Sequence, residues 1–361
     1  MTIGFETRMQ GFLQMIFSKR TAGIVGGLAL SLVACQSGPP LSSPGVAGPE
    51  TIGATVAKLT TEAAALPPLL RTRWAVEYTA SVAQLVPISP RRLYRSSDRR
   101  AYFTEAEVRN QQSALAGTSV ETVDEAGYYV GSLGSPLFHA RLIDIVADGQ
   151  LAKLVGKRSL DLYAGSIGPL KLMASAGLDA VGISSSPKLR ALYSHVGDQG
   201  SVRLPGRDVS GRVTFLYGNF PADPAVRAQV GSGYEFVLAK NVLKRGYIHP
   251  TSDVPPESLI NLGLPDADYL RSLLATLRPG GRLLVYNVCP SPNPAVYDPD
   301  SDCRNPWTRA DWQAAGFIVR DFERNDTEIA RQYATALGFD KPPLSVRIDD
   351  LYAVYSLFER P

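Results

Sequence analysis

The stretch SLDLYAGSIGPLKLMASAG, residues 159–177, decides the fold. It opens with a short apolar run, SLDLY, which is typical of a buried strand, and it closes with PLKLMASAG, which has apolar residues at helical spacing. A turn of small residues, AGSIG, stands between them at 164–168. Strand, small-residue turn and helix in succession are the unit of a doubly wound sheet, in which ligands bind beside such turns.

Strands and helices alternate from about residue 150 to the end of the chain. The helix over 267–277 ends at RPGG, a helix stop signal. The predicted strands cover 159–163, 180–184, 212–217, 234–239, 282–288, 317–323 and 351–359. This alternation predicts an α/β domain over 151–361, built on a Rossmann-like, doubly wound sheet of seven strands.

Residues 51–150 have helical and loop-like patterns and are expected to form an N-terminal helical cap. The arginine-rich stretch RRLYRSSDRR, residues 91–100, is expected to be a solvated face. The stretch GYYVGSLGSP, residues 127–136, has two interpretations: a lid over the ligand crevice, or a packed connector with buried tyrosines.

The first 34 residues have the pattern of an export signal. Lys19 and Arg20 precede an apolar run over 21–34 that is too short to cross a bilayer as a helix. LVAC, ending at Cys35, resembles the lipobox of bacterial lipoproteins, in which the chain is cut before a cysteine that is then lipidated. An ordinary export signal with an unmodified cysteine is the alternative, and Met1 or Met15 is the start.

The lipobox resemblance implies where the protein would reside. Gln36 after the cysteine is typical of lipoproteins held in the outer membrane, facing the periplasm. Residues 35–50 then comprise the lipidated cysteine and a tether rich in Ser, Pro and Gly, which cannot build a core. The expected partners are the membrane, through the lipid, and an unknown small-molecule or protein acceptor.

The net charge and the cysteine content indicate which kinds of partner and site the sequence supports. The 361-residue chain has a formal net charge of +3, so nothing favours nucleic-acid binding. Export implies an oxidising compartment, where Cys289 and Cys303 are expected to form a disulfide across a loop-like segment. No closely spaced Cys or His pair predicts a metal site.

The order of motifs in 150–361 resembles the class I S-adenosylmethionine-dependent methyltransferases. The resemblance rests on the opening stretch, GRVTFLYGNFPAD, YEFVLAKNVL, LLATLRPGGRLLVYNV and DWQAAGFIV. It implies a Rossmann-like fold, methyl transfer and S-adenosylmethionine as cofactor. The cofactor-binding residues that it implies are Asp161, Tyr163, Gly165, Gly168, Ser184, Asn219 and Lys240.

Three of those positions have another residue than the family's pattern, and Gly168 lies one step after a position where a glycine is common and Ile167 stands here. Tyr163 stands where a glycine is usual, Ser184 stands where an acid takes the ribose hydroxyls, and Asn219 replaces an acid near the adenine. A serine makes one such hydrogen bond where a carboxylate makes a charged, bidentate pair. A non-catalytic binding or structural lipoprotein with this fold is therefore the alternative to a methyltransferase.

The loop KNVLKRGYIHP, residues 240–250, follows a predicted strand and is expected at the same sheet edge. Lys244 and Arg245 are candidates for holding an anionic group of the substrate, and His249 or Tyr247 for general base. A solvated basic loop is the alternative interpretation.

A third reading of the turn makes Ser166 a nucleophile, because AGSIG matches a variant of the G-x-S-x-G motif of serine hydrolases. The base would then be His195 or His249, the histidines that follow it in the chain. Hydrolases with this motif have strands before the turn and a histidine after the last strands. In this sequence the predicted strands begin at the turn, and no histidine follows residue 249.

Overall fold

The computed structural model describes residues 51–98, 100–110, 117–131, 134–150, 152–203, 210–256, 259–342 and 344–361. The expected signal peptide, Cys35 and the tether lie outside the described residues. The strands are β1 Arg91–Arg95, β2 Tyr102–Phe103, β3 Ser119–Val123, β4 Arg158–Asp161, β5 Asp179–Ser184, β6 Gly200–Arg203, β7 Ser210–Tyr217, β8 Tyr234–Lys240, β9 Leu277–Pro290, β10 Ile318–Asn325 and β11 Leu351–Glu359.

The helices are numbered in the same way, leaving out short 3₁₀ turns. They are α1 Ala54–Ala64, α2 Arg73–Ala80, α3 Glu105–Asn110, α4 Glu125–Tyr129, α5 His139–Val146, α6 Gly168–Ser175, α7 Pro187–Leu192, α8 Pro224–Val230, α9 Arg245–Ile248, α10 Asp266–Thr276, α11 Arg309–Ala314 and α12 Thr327–Ala336.

The central sheet has eight strands in the order β10-β11-β9-β8-β4-β5-β7-β6. The inner strands from β9 to β7 pair in parallel, while β11 and β6 pair antiparallel to their neighbours. The predicted Rossmann-like α/β fold is confirmed, with each of the seven predicted strands present. The additional strand, β6, is short and lies at the edge of the sheet, so its sequence has little apolar alternation to reveal it.

Two hydrophobic cores pack on the sheet. One contains Leu170 of α6 together with Trp74 and Tyr128 from the residues before the sheet, and the other contains Leu270 of α10 and Trp312 of α11. The residues expected to form a cap therefore share a core with the sheet instead of resting on it as a separate layer. Among the described residues, no helix has both the length and the hydropathy to cross a bilayer.

The cap is not only helical, because it contains a three-stranded sheet in the order β2-β1-β3. The expectation of a solvated arginine face is wrong for Arg91, which forms an ion pair of 2.6 Å with the buried Asp198. Leu93 is also buried, whereas Arg92 and Arg100 are exposed. Arg91 and Leu93 are two residues apart in β1 and therefore lie on the same face of the strand, which packs toward the core.

Cys289 and Cys303 form a disulfide with their Cα atoms 6.1 Å apart. The bridge joins the end of β9 to the loop before α11, and both cysteines are buried. Asn287 adds to this junction by donating hydrogen bonds to the carbonyl oxygens of Leu243 and Cys303. The loop after β8 is therefore fastened to the disulfide-bonded loop.

Candidate functional site

The site lies where strand β4 ends at Asp161 and strand β8 ends at Lys240. The two strands are parallel neighbours, so their carboxyl ends meet at one edge of the sheet. Both side chains are buried, and His139 from helix α5 approaches from the cap, with its Nε2 atom 3.5 Å from Oδ2 of Asp161. An acid, a lysine and a histidine thus meet at the edge where a doubly wound sheet places its ligands.

These three side chains line a small cavity together with the turn after β4. Gly165, Ser166 and the 3₁₀ turn that begins at Pro136 complete its walls. The cavity has a volume of about 10 Å³. That is the lower limit for one water molecule.

Burial changes the proton affinities around this cavity. It lowers the pKa of Lys240 to about 8, and the negative charge of Asp161 opposes the change. Burial also lowers the pKa of His139, although its contact with Asp161 acts in the opposite direction. The Nδ1 atom of His139 has no hydrogen-bond partner among the described residues. The cluster therefore contains a neutral histidine and a lysine that gives up its proton more readily than usual.

Backbone of the cap covers the glycine turn. A Cβ atom on Gly168 would lie 2.0 Å from the carbonyl oxygen of Tyr129, and one on Gly131 would lie 2.8 Å from that of Gly165. The Ser166 hydroxyl donates to the Tyr129 carbonyl oxygen at 3.1 Å. Gly168 and Gly131 thus permit a close approach between two parts of this chain, which is one of the uses of glycine.

Tyr163 extends from the turn after β4 to the turn after β7. Its backbone has a φ of 57°, and its hydroxyl donates to the carbonyl oxygen of Phe220 at 3.0 Å. Burial raises the pKa of Tyr163 to about 12, and its hydroxyl faces that of Tyr269 on α10. The ring therefore connects the ends of two strands between which the resemblance places a cofactor.

The other two substituted positions lie near this ring but make local contacts. Ser184 ends β5, and its Oγ atom accepts a hydrogen bond from the backbone of Ser186 at 3.3 Å. Asn219 follows β7 and is exposed. Neither side chain supplies the carboxylate that the resemblance leads one to expect at these positions.

The cavity beside Asp161, as the described residues leave it, is too small to hold S-adenosylmethionine. Pockets that hold ligands of comparable size have volumes of roughly 300–1,000 Å³. The cavity beside Asp161 is about 10 Å³, and backbone of Tyr129 and Gly131 lies against the turn that a cofactor would approach.

The loop after β8 does not bring its other side chains to the cavity. Lys244 is buried and donates to the carbonyl oxygen of Asp300 at 3.1 Å, with the Tyr247 hydroxyl at 3.4 Å. His249 is exposed, and its Nε2 atom lies 2.8 Å from Oδ2 of Asp266. Arg245 opens the short helix α9. None of the side chains of Lys244, Arg245, Tyr247 and His249 lines the cavity beside Asp161. That they contact a substrate stays a prediction.

Ser166 lies in the cavity but is not arranged as an activated nucleophile. Its hydroxyl proton is directed to Tyr129, and among the described residues no hydrogen bond joins it to a histidine. His195 is exposed. His139, which does line the cavity, precedes the turn in the chain, whereas only later histidines were expected.

Sequence reasoning missed His139 and the backbone of Tyr129 and Gly131, because all three lie before the alternating strands and helices. The signal for the backbone contact was present in GYYVGSLGSP, which pairs aromatic residues with glycines. The connector and lid interpretations of that stretch both hold in part, since Tyr128 and Tyr129 are buried while Gly131 lies on the turn.

No family model matches the sequence, and no curated protein matches it. Among solved structures, the cyclase SpnF is 20% identical, with 61% of this chain and 80% of that chain covered and a TM-score of 0.37. A putative sarcosine dimethylglycine methyltransferase from Galdieria sulphuraria is 13% identical, with 61% and 88% covered and a TM-score of 0.36.

A geranyl diphosphate methyltransferase solved in complex with SAM is 14% identical, with 61% of this chain and 86% of that chain covered and a TM-score of 0.34. At TM-scores this low, such similarities carry no argument about this chain. The fold assignment rests on the strand order described above.

Proposed function

We propose that this chain is a non-catalytic binding module with a methyltransferase-like fold, carried on a lipid anchor in the bacterial cell envelope. The observation that supports this function is the contact of cap backbone with the turn after β4, where Gly168 lies against Tyr129 and Gly131 against Gly165. A cofactor could reach that turn only after this backbone moved.

Side chains support the same proposal. The ammonium group of Lys240 already compensates the charge of Asp161, the acid that the resemblance assigns to the cofactor. The ring of Tyr163 is held by Phe220. A bound cofactor would have to displace both and leave a buried charge to be compensated again, which is costly.

A second candidate function is S-adenosylmethionine-dependent methyl transfer to an unknown small-molecule or protein acceptor. His139 and Lys240, which line the same cavity as Asp161, favour it, because burial shifts the pKa of both and such groups gather at functional sites. Under this function the structure is a closed form, and the backbone around Gly131 withdraws before the cofactor binds.

Titration calorimetry with S-adenosylmethionine separates the two functions. We expect no binding by the detergent-solubilised full chain at about 1 mM cofactor, well above the micromolar range that corresponds to about −8 kcal/mol. Micromolar binding that Asp161→Asn abolishes, and that the surface variant Asp253→Asn keeps, would support methyl transfer and reject the binding module.

The lipid anchor is proposed from the lipobox at Cys35 alone. It is tested by expressing the full chain in a Gram-negative host and measuring the intact mass of the membrane-bound protein. We expect a mass that corresponds to cleavage before Cys35 plus acyl chains, and no acylation of Cys35→Ser. An unmodified N-terminus on the wild-type protein would reject the anchor.

A further inference from the structure

Helix α1 is the first helix of the described residues, and it packs against the part of the cap that covers the turn after β4. Its apolar residues Leu59 and Ala63 are buried in the same core as Tyr129 of α4. The backbone of Tyr129 in turn covers Gly168 at the start of α6. We call residues 125–131 and 134–136 the closing segment. Two buried carboxylates join α1 to it.

The first of these carboxylates, Glu125, belongs to the closing segment and caps the start of α1. Its Oε2 atom accepts hydrogen bonds from the backbone N–H groups of Thr55 at 2.9 Å and Val56 at 3.3 Å. Its Oε1 atom accepts one from the backbone of Ile88 at 2.8 Å. The N-cap residue of α1 is Gly53, which has no side chain to accept such bonds. Because N–H groups at a helix start need acceptors, and a negative charge is favoured there, α1 takes its cap from the closing segment.

The second carboxylate, Glu62, belongs to α1 and reaches the other end of the closing segment. Its Oε2 atom accepts a hydrogen bond from the Ser135 hydroxyl at 2.5 Å. Ser135 stands between Gly134 and Pro136, which both line the cavity beside Asp161. The second attachment of α1 therefore reaches a wall of that cavity.

We propose that α1 is a strap that holds the closing segment over the turn after β4, so that displacing α1 uncovers the turn. The inference rests on the proposed function, because it concerns how the closed edge of the sheet is held. Residues 36–50, the predicted tether, precede the helix in the chain. A pull on the tether would act first on the end of α1 that Glu125 caps.

Amide hydrogen exchange of the detergent-solubilised full chain tests the strap, with one variant at each attachment. Glu125→Gln replaces the carboxylate that caps α1, and Ser135→Ala removes the hydroxyl that donates to Glu62. The amides of Gly131 and Ile167 report on the closing segment and on the turn that it covers. We expect both amides to exchange about fivefold or more faster in each variant than in the wild type.

Glu235→Gln is the matched control. Glu235 is also buried, but its ion pairs are with Lys157 at 2.7 Å and Arg278 at 2.5 Å, and no hydrogen bond joins it to α1 or the closing segment among the described residues. Opening of the closing segment leaves those ion pairs intact. The control should therefore exchange at Gly131 and Ile167 as the wild type does.

Three results would overturn the strap. Unchanged exchange in both Glu125→Gln and Ser135→Ala would show that α1 does not hold the closing segment. Equal acceleration in Glu235→Gln would show that the turn is uncovered only when the whole protein unfolds. Fast exchange in the wild type would reject the closed edge itself, and with it the proposed function, whereas the first two results reject the strap alone.

Discussion

At the scale of single residues, the candidate site is defined by how its charges are compensated. Asp161 and Lys240 end neighbouring strands and line one cavity, and His139 adds a neutral ring from the cap. Burying a carboxylate without a partner is unfavourable, and the ammonium group of Lys240 offsets part of that cost. This explains why a lysine, which is seldom buried, ends a central strand here.

His139 should make stability depend on pH. Its pKa is lowered in the folded protein, so the unfolded chain takes up a proton near the ordinary value of about 6.5 while the folded chain does not. Stability should therefore fall as pH decreases below that value. Urea unfolding of wild type and His139→Gln between about pH 5 and 7 checks this, and the variant should show the shallower slope.

The exposed His195 provides the control for that series. His195→Gln replaces a surface ring and leaves the buried cluster intact, so it measures the general effect of replacing a histidine. If His139→Gln and wild type lost stability in parallel, the folded protein would be protonating His139, and the buried neutral ring would be contradicted.

Tyr163→Phe removes the hydroxyl that donates to Phe220 and keeps the ring. We expect a loss of about 0.5–1.5 kcal/mol in the free energy of unfolding, the net value of one hydrogen bond with little change in packing. Chemical denaturation measures it. A variant as stable as the wild type would show that the ring is not anchored across the strand ends.

The sequence places Asp161, Lys240 and Tyr163 at the sheet edge, because each follows or ends a recognisable strand. It does not reveal the direction of the Tyr163 ring, which depends on where Phe220 presents its carbonyl oxygen. It also does not reveal His139, because the helix that begins at this residue precedes the alternating strands and helices from which the sheet is predicted. Contacts between distant parts of a chain are set by packing, which local patterns do not encode.

At the scale of elements, the approach of the α4 region to the start of α6 closes the crevice. The two segments are in backbone contact, since nothing larger than glycine fits at 168. Strand β1 and strand β6 were missed for a related reason: both are short, and charged or polar residues occupy much of each. The long inner strands, which are apolar on both faces, were predictable.

Gly168→Ala should disturb this contact. Its Cβ atom would lie 2.0 Å from the Tyr129 carbonyl oxygen, which is backbone and cannot rotate away. We expect a loss of about 3 kcal/mol, the upper end for overpacked sites. Gly149→Ala is the matched control, because it has no neighbour within 4 Å and only an unfavourable φ of +72°; it should lose about 1 kcal/mol. Equal losses would mean that the segments are not packed together.

Replacing both Cys289 and Cys303 by serine tests the link between β9 and the loop before α11. The bridge closes a loop with a sequence separation of 14. Removing it should cost about 3 kcal/mol through the greater freedom of the unfolded chain. Thermal unfolding of the oxidised wild type against the double variant measures the loss, and no loss would show that the pairing is absent from the native protein.

At the scale of the whole molecule, the cap shares one of the two hydrophobic cores that pack on the sheet. Residues of the same chain also cover the edge of the sheet at which ligands are expected. The alternation of strands and helices predicts the sheet and its binding edge. Whether that edge is open depends on how residues 127–136 pack, and their sequence allows a lid or a connector. We propose that this edge is closed in the free protein.

Amide hydrogen exchange of the turn and the cap segment tests that claim most directly. The amides of Leu162, Ala164 and Ile167 are all hydrogen-bonded, and so is that of Gly131. We predict slow exchange at these amides in the free protein, unchanged by S-adenosylmethionine at about 1 mM. Fast exchange in the free protein that becomes slow when the cofactor is added would contradict the account and show an open crevice that closes on its ligand.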